Sequence, residues 1–230
     1  MEIKIKRFIK GAKEAEGLVV IIDVFRAFSL ELYLMQNNVS MIIPVDKTSK
    51  AFKYKKENKN VLLVGEENGR KVEGFDYGNS PSEIEKIDFS GKMVVHRTSA
   101  GTQGIYNAKN ADDVIVASLI NAKAVCNYIK RQNPKTVTLV CMGNNGKTKA
   151  MEDELCALYI KKMLLNEEMD IQKEILDLKN KDGKKFFVKE NQDIFPEKDF
   201  YLCTDVNKFN CVLKVTKNSE GFYTITKIDV

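Results

Sequence analysis

The ten residues LVVIIDVFRA, residues 18–27, give the strongest indication of the fold in this 230-residue chain. Five apolar residues precede Asp23, and so short a run between polar residues is typical of a strand that is buried on both faces. Similar runs recur along the chain: MIIPVD (41–46), VLLVGE (61–66), KMVVHRT (92–98), VIVAS (114–118) and TVTLVCMG (136–143). Strands of this kind build parallel sheets that carry helices on both sides.

Segments with helical periodicity separate these runs, for example AFSLELYLMQNN (27–38), TSKAFKYKKEN (48–58), NAKAVCNYIKRQ (121–132) and MEDELCALYIKKMLLNEE (151–168). The alternation predicts an α/β fold with a largely parallel sheet covered by helices. After Met169 the pattern changes, and VLKVTKNSEGFYTITKI (212–228) predicts a closing β-hairpin, so we expect a mostly parallel or mixed sheet. Without a linker or an internal repeat, residues 1–230 are expected to form a single domain.

The composition, with 43% hydrophobic residues and a net charge of +5, is that of a packed globular protein. The lysines are scattered among acids and asparagines, and no basic stripe interleaved with aromatic residues is present, so we expect no nucleic-acid partner. The first ten residues alternate between apolar and charged, and no apolar run is long enough to span a bilayer. We therefore expect a cytoplasmic protein without a membrane partner, which could form a homo-oligomer.

The five cysteines show no CxxC spacing, and their odd number favours free thiols over a disulfide framework. Zinc is not expected, because His96 is the only histidine, and its place inside a strand pattern favours a structural role. Cys141 and Lys147 have the spacing of the Cys-x5-Arg loop of cysteine phosphatases, but a lysine cannot replace a bidentate arginine. Our first interpretation of Cys141 is a thiol that lines the site, and the alternative is that it acts as a nucleophile.

Polar residues follow several of the strands, and ligands of open α/β sheets gather outside the carboxyl ends of the strands. Asp23 follows the first strand, Asn121 lies just after the fifth, and RTSAGTQG (97–104) follows the fourth. RTSAGTQG combines small residues, hydroxyls and backbone N–H groups at the start of a helix, which is an arrangement that holds phosphate. Arg26 and Arg97 could add bidentate contacts to phosphate or sulfonate oxygens.

Carboxylates are expected at the same ends of the strands, and they are the hard oxygen ligands that Mg²⁺ prefers. They are Asp23, Glu66, Glu67, Asp76, Glu152 and Asp153. Structural roles stay open for three of them: Asp23 could cap a helix, and Glu152 and Asp153 could complement the dipole of their own helix. Taken with the anion site, the carboxylates predict metal-assisted phosphate chemistry.

The stretch GFDYGNSPSE, residues 74–83, is too polar for the core and has the composition of a built loop. Ser80 and Pro81 are expected to be the N-cap and first residue of a short helix, with Glu83 completing a capping box. The two glycines beside an aspartate and an asparagine indicate backbone that lies close to a ligand, and an ordinary glycine turn before the capped helix is the alternative that stays open.

Six stretches, taken in order, resemble the 2-phosphosulfolactate phosphatase family. They are IIDVFRA (21–27), GE (65–66), GFDYGNSP (74–81), RTSAGTQG (97–104), ASLINAKAV (117–125) and EDELCA (152–157). GFDYGNSP is the most specific of them. The resemblance implies a three-layer α/β/α fold and a Mg²⁺-dependent phosphatase, associated with coenzyme M biosynthesis, that hydrolyses 2-phosphosulfolactate to 3-sulfolactate and phosphate. It also implies that Asp76 lies near the metal or substrate and that Asn79 donates to an oxyanion.

These observations yield three overlapping sets of candidate residues. The metal candidates are Asp23, Glu66, Asp76, Glu152 and Asp153. The catalytic candidates are Asp23, Arg26, Asp76, Cys141, Glu152 and Asp153. The substrate-binding candidates are Arg26, Asn79, Ser80, Arg97, Thr98, Ser99, Gly101, Thr102, Asn121 and Gly143.

The attacking group stays open among a metal-bound water, Asp23 and Cys141. Two other functions also stay open. One is a phosphatase of the same fold that acts on another small acidic phosphate ester. The other is a non-catalytic binder of phosphorylated or sulfonated metabolites, which a ligand would stabilise without release of phosphate.

Overall fold

Ten strands form one sheet in the computed structural model, which describes residues 1–218 and 221–230. The strands are β1 (Glu2–Arg7), β2 (Gly17–Ile22), β3 (Met41–Val45), β4 (Val61–Glu67), β5 (Arg70–Lys71), β6 (Met93–Arg97), β7 (Ala111–Ala117), β8 (Thr136–Cys141), β9 (Cys211–Lys217) and β10 (Tyr223–Asp229). Each apolar run that predicted a strand forms one.

The strand order is β1-β8-β2-β7-β9-β10-β3-β6-β4-β5. Strands β1, β8, β2 and β7 are mutually parallel, and so are β3, β6 and β4. The hairpin β9–β10 lies between these groups and pairs antiparallel with β7 on one side and with β3 on the other. The sheet is therefore mixed, as expected, and its two parallel groups run in opposite directions. Ser219 and Glu220, at the tip of the predicted hairpin, lie outside the described residues.

Helices α2, α3, α6 and α7 form in the segments whose periodicity predicted them. The helices are α1 (Phe8–Lys13), α2 (Ala27–Gln36), α3 (Thr48–Glu57), α4 (Pro81–Ile84), α5 (Gly101–Asn107), α6 (Ala122–Gln132), α7 (Met151–Leu165), α8 (Ile171–Lys179) and α9 (Glu197–Thr204), with 3₁₀ turns at Leu119–Asn121, Asp182–Phe187 and Lys189–Asn191. Asn133 and Asn166 end α6 and α7 in the left-handed conformation, which asparagine tolerates better than most residues. Within the described ranges, no helix is both long and apolar enough to cross a membrane.

The β2 strand explains the three-layer architecture. Val19 and Ile21 belong to a core that contains residues of α2 and α5, whereas Val20 and Ile22 belong to a second core that contains residues of α6 and α7. Successive side chains of a strand point to opposite faces, so an uninterrupted apolar run is buried on both sides. Helices therefore cover both faces of the sheet, and the predicted α/β/α class is confirmed.

The short helix α4 begins at Pro81 with Ser80 at its N-cap, as predicted, but the capping box is wrong. Ser80 Oγ donates to Asp199 Oδ1 at 2.9 Å, and Glu83 Oε2 accepts from the Gly78 N–H at 3.0 Å. The reason is tertiary: the buried carboxylate of Asp199 in α9 binds the serine hydroxyl, and Glu83 binds the preceding turn instead of the N-cap.

Candidate active site

A cavity of about 250 Å³ lies among residues that follow or end several strands. Asp23 follows β2, Ser99 follows β6, Gly143 follows β8, and Glu66 belongs to the last residues of β4. These strands come from both parallel groups, so the cavity joins the two oppositely directed halves of the sheet. Its lining residues are Asp23, Phe25, Arg26, Glu66, Asn68, Gly69, Asn79, Ser99, Ala100, Gly143, Asn144, Asn145, Ala150, Glu152, Asp153, Lys185 and Phe195.

Asp153, in the first turn of α7, is held by two backbone N–H groups. Its Oδ1 accepts from Val24 N and its Oδ2 from Gly143 N, each at 2.8 Å. These bonds connect α7 to the residues that follow β2 and β8. Burial, together with the charges of Asp23 and Glu152, raises the pKa of Asp153 well above its ordinary value.

Glu152 is buried, and its Oε2 has no hydrogen-bond partner among the described residues. Burial raises the pKa of Glu152 to about 7, and Asp182 and Asp23 add to the rise while Lys185 opposes it. A buried carboxylate oxygen without a donor is costly unless a cation or a ligand approaches it. Glu152 is therefore the cavity residue whose surroundings are least complete.

Asp23 is buried at the same cavity, where its Oδ1 accepts from Ala27 N, in the first residue of α2, at 3.1 Å. The N-cap of α2 is Arg26, so the alternative that Asp23 is an N-cap residue is wrong, although its side chain does bind the start of the helix. Burial raises the pKa of Asp23 to about 6, and the charge of Glu66 contributes to the rise. Carboxylates that hinder one another's ionisation are characteristic of sites that bind a cation.

Glu66 binds protein groups with both oxygens. Its Oε1 accepts from Ser99 N at 2.6 Å, and its Oε2 accepts from Gly69 N at 2.6 Å and from Ser99 Oγ at 3.1 Å. Glu66 therefore ties the β4–β5 turn to the loop that precedes α5.

Arg26 is buried beside the cavity and pairs with the fully buried Asp199 of α9. Its Nη1 donates to Asp199 Oδ2 at 2.7 Å and to the Ile194 carbonyl at 2.8 Å, and its Cζ lies 4.9 Å from the centre of the Phe195 ring. No described residue accepts a hydrogen bond from its Nε or Nη2. The guanidinium is thus oriented by the protein through one nitrogen and retains donors for a ligand.

Lys185 and Phe195 line the cavity but were not found from the sequence. Both lie between α8 and α9, in the segment whose pattern gave no assignment. Lys185 Nζ lies 5.5 Å from the ring centres of Phe25, Phe186 and Phe195, and it has no ion-pair partner among the described residues. An aromatic surround holds this cation beside the acidic cluster.

Asn79, from the loop that the sequence singled out, reaches the cavity wall and contacts His96. His96 Nε2 lies 3.2 Å from Asn79 Oδ1, and His96 Nδ1 lies 2.7 Å from Glu31 Oε1. His96 is fully buried, so it does not touch the cavity itself.

The structure brings eight of the candidate residues to this cavity: Asp23, Arg26, Glu66, Asn79, Ser99, Gly143, Glu152 and Asp153. The others lie outside its lining. Asp76 is exposed, and its Oδ2 accepts from Leu63 N at 2.7 Å and from Lys55 Nζ at 3.3 Å. These bonds fasten the loop to β4 and α3 instead of directing the carboxylate to the cavity.

Cys141 is buried behind the site, where its Sγ donates to the Asp153 carbonyl at 3.4 Å. Burial raises the pKa of this thiol above its ordinary value, and the charges of Asp153 and Glu154 add to the rise. A thiol that is protonated and enclosed is a poor nucleophile. All five cysteines are free and buried.

The remaining candidates bind protein partners. Arg97 Nη2 donates to Glu67 Oε1 at 2.8 Å. Thr98 Oγ1 accepts from Thr102 N at 3.0 Å, and Asn121 Oδ1 accepts from Ser118 N at 2.9 Å. Ser80 binds Asp199, as described above.

The backbone N–H groups of RTSAGTQG are largely occupied by the protein. Glu66 accepts from Ser99 N, the Thr98 hydroxyl accepts from Thr102 N, and Thr98 N donates to the Thr102 hydroxyl. The loop that was expected to hold phosphate therefore binds the Glu66 carboxylate, and the side chains of Arg26, Asn79 and Lys185 are among the donors that line the cavity.

No group of three or more His, Cys, Asp or Glu side chains within residues 1–218 and 221–230 is arranged to hold a metal ion by itself. Mg²⁺ commonly uses only one or two protein carboxylates and keeps several waters. Asp23 and Glu152 suit that mode, because both line the cavity and Glu152 Oε2 has no partner.

The sequence was compared with a family model and with individual proteins, and both comparisons give the same description. Residues 3–218 match the family model described as 2-phosphosulpholactate phosphatase. The chain is 36% identical over 160 residues to a protein of Caldicellulosiruptor saccharolyticus, 40% over 150 residues to one of Thermotoga petrophila, and 32% over 220 residues to one of Clostridium perfringens strain SM101. Each is named "Probable 2-phosphosulfolactate phosphatase". The matches cover 68%, 65% and 88% of this chain, and 66%, 63% and 87% of the relatives.

Proposed function

Because this chain belongs to the 2-phosphosulpholactate phosphatase family, we propose that it hydrolyses the phosphate monoester of 2-phosphosulfolactate to 3-sulfolactate and phosphate. In this proposal the reaction is a step of the coenzyme M biosynthesis type. The observation that carries it is the cavity in which Asp23, Glu152 and Asp153 lie together with Arg26 and Lys185. A phosphate ester with further acidic groups needs cationic donors, and its hydrolysis needs neutralisation of the charge on the phosphate.

We assign Mg²⁺ to Asp23 and Glu152, with Asp153 beside them. Support comes from the unpartnered Glu152 Oε2 and from pKa values of about 6 for Asp23 and about 7 for Glu152, which a bound cation would lower. When bound, Mg²⁺ would supply positive charge to the phosphate oxygens and to the attacking oxygen. Glu66 is left as a structural carboxylate, because both its oxygens already accept from the backbone.

The phosphate ester is held by Arg26, Asn79 and Lys185. The bond from Nη1 to Asp199 fixes the Arg26 guanidinium, so its remaining N–H groups are oriented before the substrate arrives. Lys185, which lies between α8 and α9 and thus far along the sequence from Arg26 and Asn79, adds a second cation to the cavity. Uncatalysed hydrolysis of phosphate monoesters is among the slowest biological reactions, so positioning and charge neutralisation are the effects that this site must supply.

Water is the nucleophile that this arrangement supports best. Cys141 is buried, keeps its proton and lies outside the cavity lining. Asp23 Oδ1 accepts a hydrogen bond from Ala27 N, which reduces the nucleophilicity of that oxygen.

The test is phosphate release by the purified protein from 2-phosphosulfolactate and from a panel of other acidic phosphate monoesters, each with Mg²⁺ and with EDTA. Release that needs Mg²⁺ and is fastest with 2-phosphosulfolactate is the expected result. Faster release from another ester would support the proposed reaction class but would assign a different substrate to the protein. No release from any ester, together with tight ligand binding, would make the protein a binder.

A further inference from the structure

A chain of three buried side chains leads from α2 to the wall of the cavity. Glu31 Oε1 lies 2.7 Å from His96 Nδ1, and His96 Nε2 lies 3.2 Å from Asn79 Oδ1. Glu31 and His96 are 0% exposed, and Asn79 is 6% exposed. Of the three, only Asn79 lines the cavity.

The two hydrogen bonds of His96 restrict where its protons lie. Asn79 Oδ1 can only accept, so Nε2 carries the hydrogen of that bond. The bond between Glu31 and Nδ1 holds one further proton, either on the imidazole or on the carboxyl group. Both arrangements give the pair no net charge, which complete burial favours, and both leave Nε2–H as the donor to Asn79.

The opposite orientation of the Asn79 amide requires an Nε2 without a hydrogen. Nδ1–H would then donate to Glu31, and Glu31 would be either ionised, so that the pair carries a negative charge in the interior, or protonated on Oε2, where the O–H finds no acceptor among the described residues. Burial raises the pKa of Glu31 and so opposes the ionised form, and a buried O–H without a partner opposes the protonated form. The pair therefore selects the orientation in which Asn79 Oδ1 faces His96.

The selected orientation determines what Asn79 presents to a ligand. Its Oδ1 is occupied by His96, and no described residue accepts a hydrogen bond from its Nδ2. The amino group is thus the atom available to the cavity, and it can only donate. A donor at this wall suits an anionic oxygen.

Stabilisation of the fold alone does not account well for the hydrogen-bonded series Glu31–His96–Asn79. Glu31 Oε2 is buried without a partner, which costs stability, and Glu31 lies in a helix that is otherwise largely apolar and buried. An apolar pair in these positions would fill the same space without that cost.

We propose that His96 and Glu31 are positioning residues of the phosphatase site: they hold the Asn79 amide with its amino group towards the cavity, where it donates to an oxygen of the bound phosphate. The proposal rests on the proposed function, because it takes the ligand to be a phosphate ester. His96 does not touch the substrate and acts only through Asn79.

Two substitutions of His96 separate positioning from packing. In His96→Gln the side-chain amide nitrogen reaches the Nε2 position and keeps the donor to Asn79, whereas His96→Asn reaches only the Nδ1 position. We expect KM to rise roughly ten- to hundredfold in His96→Asn, since a hydrogen bond to a charged group is lost. In His96→Gln, KM should stay within about threefold of the wild type, and kcat should change less than KM in both.

A double-substitution cycle tests whether His96 acts through Asn79. Asn79→Ala should raise KM by the same factor as His96→Asn, and His96→Asn should have no further effect in the Asn79→Ala protein. Thr138→Val is the matched control, because it removes the hydrogen bond that the hydroxyl of the buried Thr138 donates to the Glu16 carbonyl, just before β2. It should lower stability without raising KM.

Binding of inorganic phosphate, measured by calorimetry in the presence of Mg²⁺, tests the positioning role of His96 without requiring that the protein turn over a substrate. If the wild type hydrolyses no ester, the proposed function fails, yet weaker phosphate binding in His96→Asn than in His96→Gln would still support the positioning role. Equal loss in both variants, or effects that add to those of Asn79→Ala, would overturn it.

If the His96 variants do not fold, Asn79→Asp gives a second test. It retains an acceptor for Nε2–H and replaces the amino group by a carboxylate oxygen. Phosphate binding weaker than in Asn79→Ala is expected, and binding that is equal or tighter would contradict the proposal.

Discussion

Arg26 Nη1 donates to Asp199 Oδ2 at 2.7 Å, and the two side chains are 4% and 0% exposed. The other oxygen of Asp199 accepts from Ser80 Oγ and from Ser82 N, each at 2.9 Å. One carboxylate in α9 therefore orients the arginine of the cavity and fixes the start of α4. Since α9 follows β2 by more than 170 residues in the chain, the site depends on the packing of the late helices.

Asp199→Ala should lower the free energy of unfolding by about 3–5 kcal/mol, because it leaves the charge of Arg26 buried and unpaired. Urea denaturation measures the change. Lys198→Ala is the control on the same helix: it removes an exposed ion pair with Glu85 and should cost about 1 kcal/mol or less. Equal losses in the two variants would show that the buried pair contributes no more than the exposed one.

Cys141→Ser should retain kcat within about threefold, because the thiol is enclosed, protonated and outside the cavity lining. Initial rates of phosphate release with Mg²⁺ provide the measurement. A hundredfold loss in a variant with an unchanged circular dichroism spectrum would restore cysteine as the nucleophile.

Stability should fall as the pH rises above about 9. Burial raises the pKa of Cys126 from 9.0 to about 12 in the folded state. Between these values the unfolded chain loses the thiol proton and the folded protein keeps it, so the stabilisation is complete below pH 9 and is lost towards pH 12. Chemical denaturation at pH 8 and at pH 10 should show a smaller decrease for Cys126→Ala than for the wild type. If the free energy of unfolding fell by the same amount in Cys126→Ala and in the wild type, the loss of stability at high pH would come from other titrating groups.

Glu152→Gln should separate activity from stability. The substitution removes one charge from a group of carboxylates that repel one another, and Glu152 Oε2 loses no hydrogen bond. In EDTA the variant should be at least as stable as the wild type, whereas kcat with Mg²⁺ should fall by about 10²–10³.

Thermal denaturation with and without MgCl₂ completes that test. Mg²⁺ should raise the melting temperature of the wild type and have little effect on Glu152→Gln, because a ligand that binds only the folded state stabilises it more the further its concentration exceeds its dissociation constant. Equal stabilisation of both proteins would remove Glu152 from the metal site.

Strands β2, β3, β4, β6, β7 and β8 could be predicted because each is an apolar run with a clear polar boundary, as Leu18–Ile22 shows before Asp23. The reversal of half the sheet could not. It arises because the closing hairpin β9–β10 inserts between β7 and β3, and sequence patterns do not report which strands become neighbours.

The candidate site was predictable where a side chain lies within two residues of the end of a strand, as Asp23 and Ser99 do. Lys185 and Asp199 were missed because their places depend on tertiary contacts: Lys185 lies beside the Phe25 ring, and Asp199 binds Arg26 and Ser80. A local signal for α9 did exist: Pro196 precedes Glu197 and Asp199 in the first turn. Asp76 is the converse case: this predicted site residue, a polar loop residue beside glycines, accepts from the backbone of Leu63 and lies outside the cavity lining.

Gly143→Ala should disturb the site through the backbone. Gly143 has φ of +68°, and a Cβ there would lie 2.1 Å from the Thr148 carbonyl oxygen. The loop would have to shift, and with it the Gly143 N–H, from which Asp153 Oδ2 accepts a hydrogen bond at 2.8 Å.

Gly91→Ala is the matched control, because Gly91 has φ of +74° but no atom within 4 Å of its Cβ position. The control should cost about 1–2 kcal/mol from the left-handed conformation alone. Gly143→Ala should cost a further 1–3 kcal/mol or so for the steric overlap and lower kcat at least about tenfold. Equal stability of the two variants with unchanged kcat would mean that the Gly143 backbone does not hold Asp153 in its working position.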